Sequence, residues 1–162
     1  MIAKNISLGS MVLGIHDALV STLGLIAGLV FALTTNYVIV LTGIIASVAA
    51  ALSMTASQYL AEKANGNSEC PFAQGLVTGA AYVITSTCLL MPFVFIKQTF
   101  YAMGISYIIA ILVIVAFNLL KAKIRSEPFW PHFLEMLVIC SVVTFVAFII
   151  GVCAKNCFNI DI

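Results

Sequence analysis

Hydrophobic positions fall into five long runs separated by short polar breaks: Leu8–Leu33, Tyr37–Leu60, Phe72–Ile96, Phe100–Leu120 and Phe129–Cys153. Each run exceeds the about 20 residues a helix needs to cross the hydrocarbon core. The alternation over about 10 residues that marks a barrel strand is absent. The pattern predicts an all-α integral membrane protein with five transmembrane helices, forming one domain over residues 1–162. The breaks are Thr34-Thr35-Asn36, the loop Ala61–Pro71 with Glu62, Lys63 and Glu69, Lys97-Gln98-Thr99, and a basic loop with Lys121, Lys123, Arg125, Glu127 and Pro128. Pro92 is expected to kink or end the third helix, because proline cannot donate to the ladder.

Within the first run, Ser10, Gly14, Asp17, Ser21, Gly24 and Gly28 are spaced by 4, 3, 4, 3 and 4 residues, so all six share one helix face. Five of the six are small, and small residues at this spacing let another helix approach closely. The stripe is read as an assembly seam, predicting a parallel homodimer through helix one at Gly14, Ser21, Gly24 and Gly28. Asp17 does not suit a seam that serves packing alone. An acid at the centre of a membrane helix costs roughly 3 kcal/mol to insert, so it faces protein or water and has a function. His16 lies about 100° round the helix from Asp17 and is expected to contact a neighbouring helix.

Helix two repeats the spacing with Gly43, Ser47, Ala50, Met54, Ser57 and Ala61, again in steps of 4, 3, 4, 3 and 4. Met54 is the bulky exception, and its thioether is a soft donor for transition metals. By helical rise, Asp17 lies roughly 13 Å and Met54 roughly 10 Å from the same side of the membrane. A carboxylate and a thioether at one depth on adjacent helices describe a site for a divalent transition metal. Gln58, one turn beyond Met54, offers a carbonyl oxygen without charge. Glu135, in the first turns of helix five, has two readings: a helix-start acid favoured by the dipole, or an acid that adds charge to the site or serves as an entry ligand.

Composition supports the membrane assignment: 63% of the 162 residues are hydrophobic and 8% are charged, against about 25% charged in soluble domains. The mean hydropathy is +1.19. Seven Lys and Arg against six Asp and Glu give no basic excess, so no nucleic-acid partner is expected. The first run is too long, and too polar at its centre, for a signal peptide. The five cysteines lack CxxC spacing and mostly sit in apolar runs, where a thiol acts as a small hydrophobe. Cys153 and Cys157, one turn apart, leave a metal or disulfide reading open. With five spans, one side holds Lys4, Lys63, Lys121, Lys123 and Arg125, and the other Lys97 and Lys155. That bias predicts a cytoplasmic N-terminus and an outer or lumenal C-terminus. Phe129, Trp130 and His132 suit an interfacial belt. No soluble catalytic motif is present, so no enzyme and no permanently bound cofactor are expected.

The segments LGIHDALVSTLGLIAGL and ALSMTASQYL resemble the vacuolar iron transporter family. Its first helix reads close to G-x-x-D-G-L-V-S-T-x-x-L-V-A-G and its second close to A-x-S-M-A-x-G-E-Y. Gly14, Asp17, Leu19, Val20, Ser21, Thr22 and Gly28 match the first, and Ala51, Ser53, Met54 and Tyr59 the second. The resemblance implies a dimer whose first helices line a shared path for Fe²⁺ or Mn²⁺, exchanged for protons, in a cell inner membrane or a vacuole-like membrane. Three departures stand out. Ala18 replaces a glycine, Gln58 replaces a glutamate, and the segment Ala61–Pro71 replaces the long cytoplasmic metal-binding bundle of many members. The alternative expectation is a non-transporting structural or regulatory subunit that keeps the seam.

Overall fold

The computed structural model describes residues 2–32, 35–66, 70–125 and 129–158. These form five helices: α1 (Ile2–Ala32), α2 (Asn36–Asn65), α3 (Pro71–Phe95), α4 (Thr99–Arg125) and α5 (Phe129–Phe158). All five are long and apolar enough to cross a membrane, and there is no strand among the described residues. Leu33, Thr34, Asn67, Glu69, Glu127 and Pro128 lie outside the described residues, as does the tail after Phe158.

The helices follow the hydrophobic runs, with informative differences at their ends. α2 continues past Leu60 to Asn65, so Glu62 and Lys63, expected in a loop, are helical. Ala61, Glu62, Lys63 and Ala64 are all good helix formers. Gly66 then stops the helix in the left-handed conformation, φ 63°, which suits a residue without a side chain. α3 passes through Pro92 and ends one turn later, where the Ile96 N–H donates to the Pro92 carbonyl at 2.9 Å. α5 takes in Cys153 and Cys157, which are exposed free thiols.

α3 lies between α2 and α1, α1 also packs along α5, and α4 touches α3, α5 and α1. Apolar packing centres on Ile15, Leu19, Leu23 and Ile26 of α1, with Leu89 and Phe93 of α3 and Ile114 and Phe117 of α4. In lipid such contacts are held by close van der Waals fit and interhelical hydrogen bonds, because the solvent is itself apolar. At one end, Asn36 ties two turns together. Its Nδ2 donates to the Ile96 carbonyl, and its Oδ1 accepts from Thr99 Oγ1 at 2.6 Å.

The seam between α2 and α3 is made by Gly75 and Gly79. A side chain at Gly79 would strike Thr55 Oγ1 and the Ala51 carbonyl, and one at Gly75 the Thr55 carbonyl. The sequence reading placed its seams on the first two helices and passed over this one, although Gly75 and Gly79 are themselves a GxxxG pair.

Candidate functional site

Four of the six stripe residues of α1, Ser10, Gly14, Gly24 and Gly28, are covered by the chain's own helices. The Ser10 hydroxyl donates to Gln74 Oε1 of α3, and both residues are buried. Gly14 lies against the Thr78 carbonyl of α3, where any Cβ would collide. A Cβ on Gly24 would sit 3.1 Å from Val143 Cγ1, and one on Gly28 3.5 Å from the Ala147 carbonyl oxygen, both on α5. Gly151, one turn beyond Ala147 on α5, also lies against the Gly28 backbone. The face of α1 left open runs instead through Leu13, Asp17 and Ser21, with Leu13 and Ser21 exposed and Asp17 partly so. The alternating steps of four and three residues advance by about +40° and −60°, so the stripe stays near one line, and it is the neighbour that changes along it, α3 at Ser10 and Gly14 and α5 at Gly24 and Gly28.

Asp17 sits near the middle of α1, and no described residue donates a hydrogen bond to its carboxylate. The turn that carries it is fixed through α3. The Ser21 hydroxyl donates to the Asp17 carbonyl at 2.6 Å, and Ser21 Oγ lies 2.7 Å from Tyr82 Oη. Ser21 has one proton, and it is used on the carbonyl, so Tyr82 is the donor in the second bond. Tyr82 is 3% exposed and anchors that chain in the bundle.

Met54 is level with this turn. Ala18, next to Asp17, forms a buried cluster with Ala51 of α2 and Tyr82 of α3, and Ala50 and Met54 pack on it. The helices that carry Asp17 and Met54 thus touch through this cluster. Of the α2 stripe, Gly43 and Ser47 are buried and Ala50 and Met54 partly so, while Ser57 and Ala61 are exposed.

Gln58 is partly buried one turn further along α2, and its Nε2 donates to Glu62 Oε1 at 3.0 Å. Glu62 was not singled out from the sequence, because it was read as part of a loop. On the extended helix its four-residue step from Gln58 puts both on one face. Lys63 does not pair with it: the Lys63 ammonium lies 5.8 Å from the centre of the Tyr59 ring. No described cation pairs with Glu62.

Glu135 lies elsewhere. It is on α5, which packs on α1 and α4, and its side chain is 67% exposed. It stands 3.7 Å from His132 Nδ1, one turn back on the same helix. Trp130, 68% exposed, stacks edge-on to Phe133 as an interfacial ring would. His16 is partly buried on α1.

Between α1, α4 and α5 lies a cavity of about 550 Å³ lined by Leu23, Tyr107, Ala110, Cys140, Thr144 and Phe148, among others. Its lining is overwhelmingly apolar and contains no acid or base that carries charge at neutral pH.

The arrangement offers an anionic oxygen at Asp17, a thioether at Met54, an amide at Gln58 and a second carboxylate at Glu62. Among the described residues, no three His, Cys, Asp or Glu side chains come together. A comparison with curated proteins finds no match. The model of the VIT family does match, over residues 8–69, and the stretch holding Asp17, Met54, Gln58 and Glu62 is the part of this integral membrane protein that matches the vacuolar iron transporters.

Proposed function

We propose that the chain transports a divalent transition metal, Fe²⁺ or Mn²⁺, out of the cytoplasm in exchange for protons. The observation that carries this reading is the Asp17 carboxylate: central in a membrane-spanning helix, partly open, without a partner among the described residues, and next to the cluster on which Met54 packs. Such an acid is costly in hydrocarbon, and a divalent ion is the partner that repays it. The match to a family of metal transporters supports the same reading.

The working unit in this proposal is a homodimer through helix one, oriented with the N-terminus in the cytoplasm. Its contact uses the open face at Leu13, Asp17 and Ser21, because Gly14 and Gly24 are already buried in the protomer. Two copies of Asp17 would then supply two charges to one path. Met54 gives the soft ligand and Gln58 a neutral oxygen. Glu135, away from α2, would act only as an outlying acid.

Gln58, neutral where the family pattern has an acid, favours a second reading, a subunit that assembles but does not transport. Uptake of Mn²⁺ or Fe²⁺ by purified protein in liposomes, with and without a pH gradient, separates the two. Metal accumulation driven by the gradient is the expected result, and none in either condition supports the subunit.

A further inference from the structure

Glu62 offers, one turn from Gln58 on α2, the carboxylate that position 58 lacks. Its carboxylate accepts from Gln58 Nε2 at 3.0 Å. An ionised carboxylate only accepts, so the amide must present its NH₂ to Glu62 and turn its oxygen away from it. Gln58 is thereby held with its one metal-binding atom, Oε1, free of Glu62. Among the described residues no cation pairs with Glu62, and Lys63 is engaged over Tyr59. Helical rise sets the two residues about 6 Å apart along α2, and Met54 lies one turn further in on the same helix. The three donors therefore form a ladder at 54, 58 and 62.

We infer that Glu62 is a positioning residue for metal transport: it orients the Gln58 amide as an oxygen ligand and supplies, one turn toward the loop, the negative charge that draws the divalent ion to it. This rests on the transport reading above.

The test uses the full chain in proteoliposomes, with Mn²⁺ as the probe, and compares KM and maximal rate for the wild type, Glu62→Gln and the double variant Gln58→Glu with Glu62→Gln. Glu62→Gln keeps the shape and removes the charge. One charge about 6 Å from a divalent ion is worth about tenfold in affinity even at the dielectric constant of water, so KM is expected to rise at least about tenfold with the maximal rate little changed. The double variant keeps the hydrogen bond with donor and acceptor exchanged, keeps the net charge, and moves the acid one turn inward. Its KM is expected to return to the wild-type value or below. A KM for Glu62→Gln within about twofold of wild type, or a double variant no better than Glu62→Gln alone, overturns the inference. A wild-type protein that moves no Mn²⁺ overturns the transport reading itself, whereas transport indifferent to Glu62→Gln overturns only the role of Glu62.

Discussion

The two sides of α1 are built differently. On the side toward α3, backbones nearly touch at Gly14, and hydroxyl and amide groups bridge the helices at Ser10–Gln74 and Ser21–Tyr82. Toward α4 and the adjoining part of α5, large apolar side chains meet and leave a cavity of about 550 Å³, with Phe31 packed edge-on to Phe148 at 4.4 Å, although the α1 and α5 backbones also come close at Gly28 and Gly151. Asp17 lies on the open face beside the tight side, which contacts the Met54 cluster, while the cavity lining carries no charged side chain. Directional bonds and backbone contact fix a side chain's position; van der Waals packing of long side chains allows adjustment. A site that must hold an ion at set distances belongs on the first kind of surface.

Four changes break or sharpen that contrast. The largest effect is expected from Gly14→Leu. A side chain there strikes the Thr78 backbone, which cannot move without displacing α3, so the cost is about 3 kcal/mol or more. Loss of a monodisperse folded species in detergent checks it. Gly104→Leu, with nothing near its added Cβ, should fold normally.

Asp17→Asn should abolish metal uptake while leaving thermal unfolding in detergent unchanged or slightly improved, because the cost of a charge within a membrane span is removed. Uptake at the wild-type rate would show that Asp17 is not the ligand.

Tyr82→Phe removes one interhelical hydrogen bond and no bulk. Such bonds average about 0.6 kcal/mol in membranes, so uptake is expected to fall about two- to threefold, measured against an unchanged helical spectrum. The smallest effect belongs to the loose side. Ala110→Leu extends into the cavity, and it should alter stability by less than about 1 kcal/mol and leave uptake alone. A large loss of uptake would mean that the α4–α5 side takes part in transport.

Gln58→Glu takes a different meaning from the structure than from the sequence. Alone, it would rebuild the family pattern. Beside Glu62 it sets two carboxylates within hydrogen-bonding reach, where they repel and one tends to keep its proton. The crowding therefore arises at Glu62, while Glu135 lies on a helix that packs on α1 and α4.

The sequence by itself determined the number of helices, their approximate limits, and the two residues at the centre of the candidate site. Hydrophobic runs of this length have one solution in lipid, and an acid within such a run stands out against them. It also showed that small residues mark close helix contacts. Which helix makes each contact was settled only in three dimensions. A small-residue face is complementary to any other, so the α1 stripe served equally well for a dimer partner or for α3 and α5, and the structure spends Gly14, Gly24 and Gly28 within the chain. Glu62 depended on a local choice near the end of α2: whether four helix formers beyond the last apolar residue extend the helix or join the loop. Extension to Asn65 turned a loop acid into the partner of Gln58, because only a helix places residues 58 and 62 on the same face.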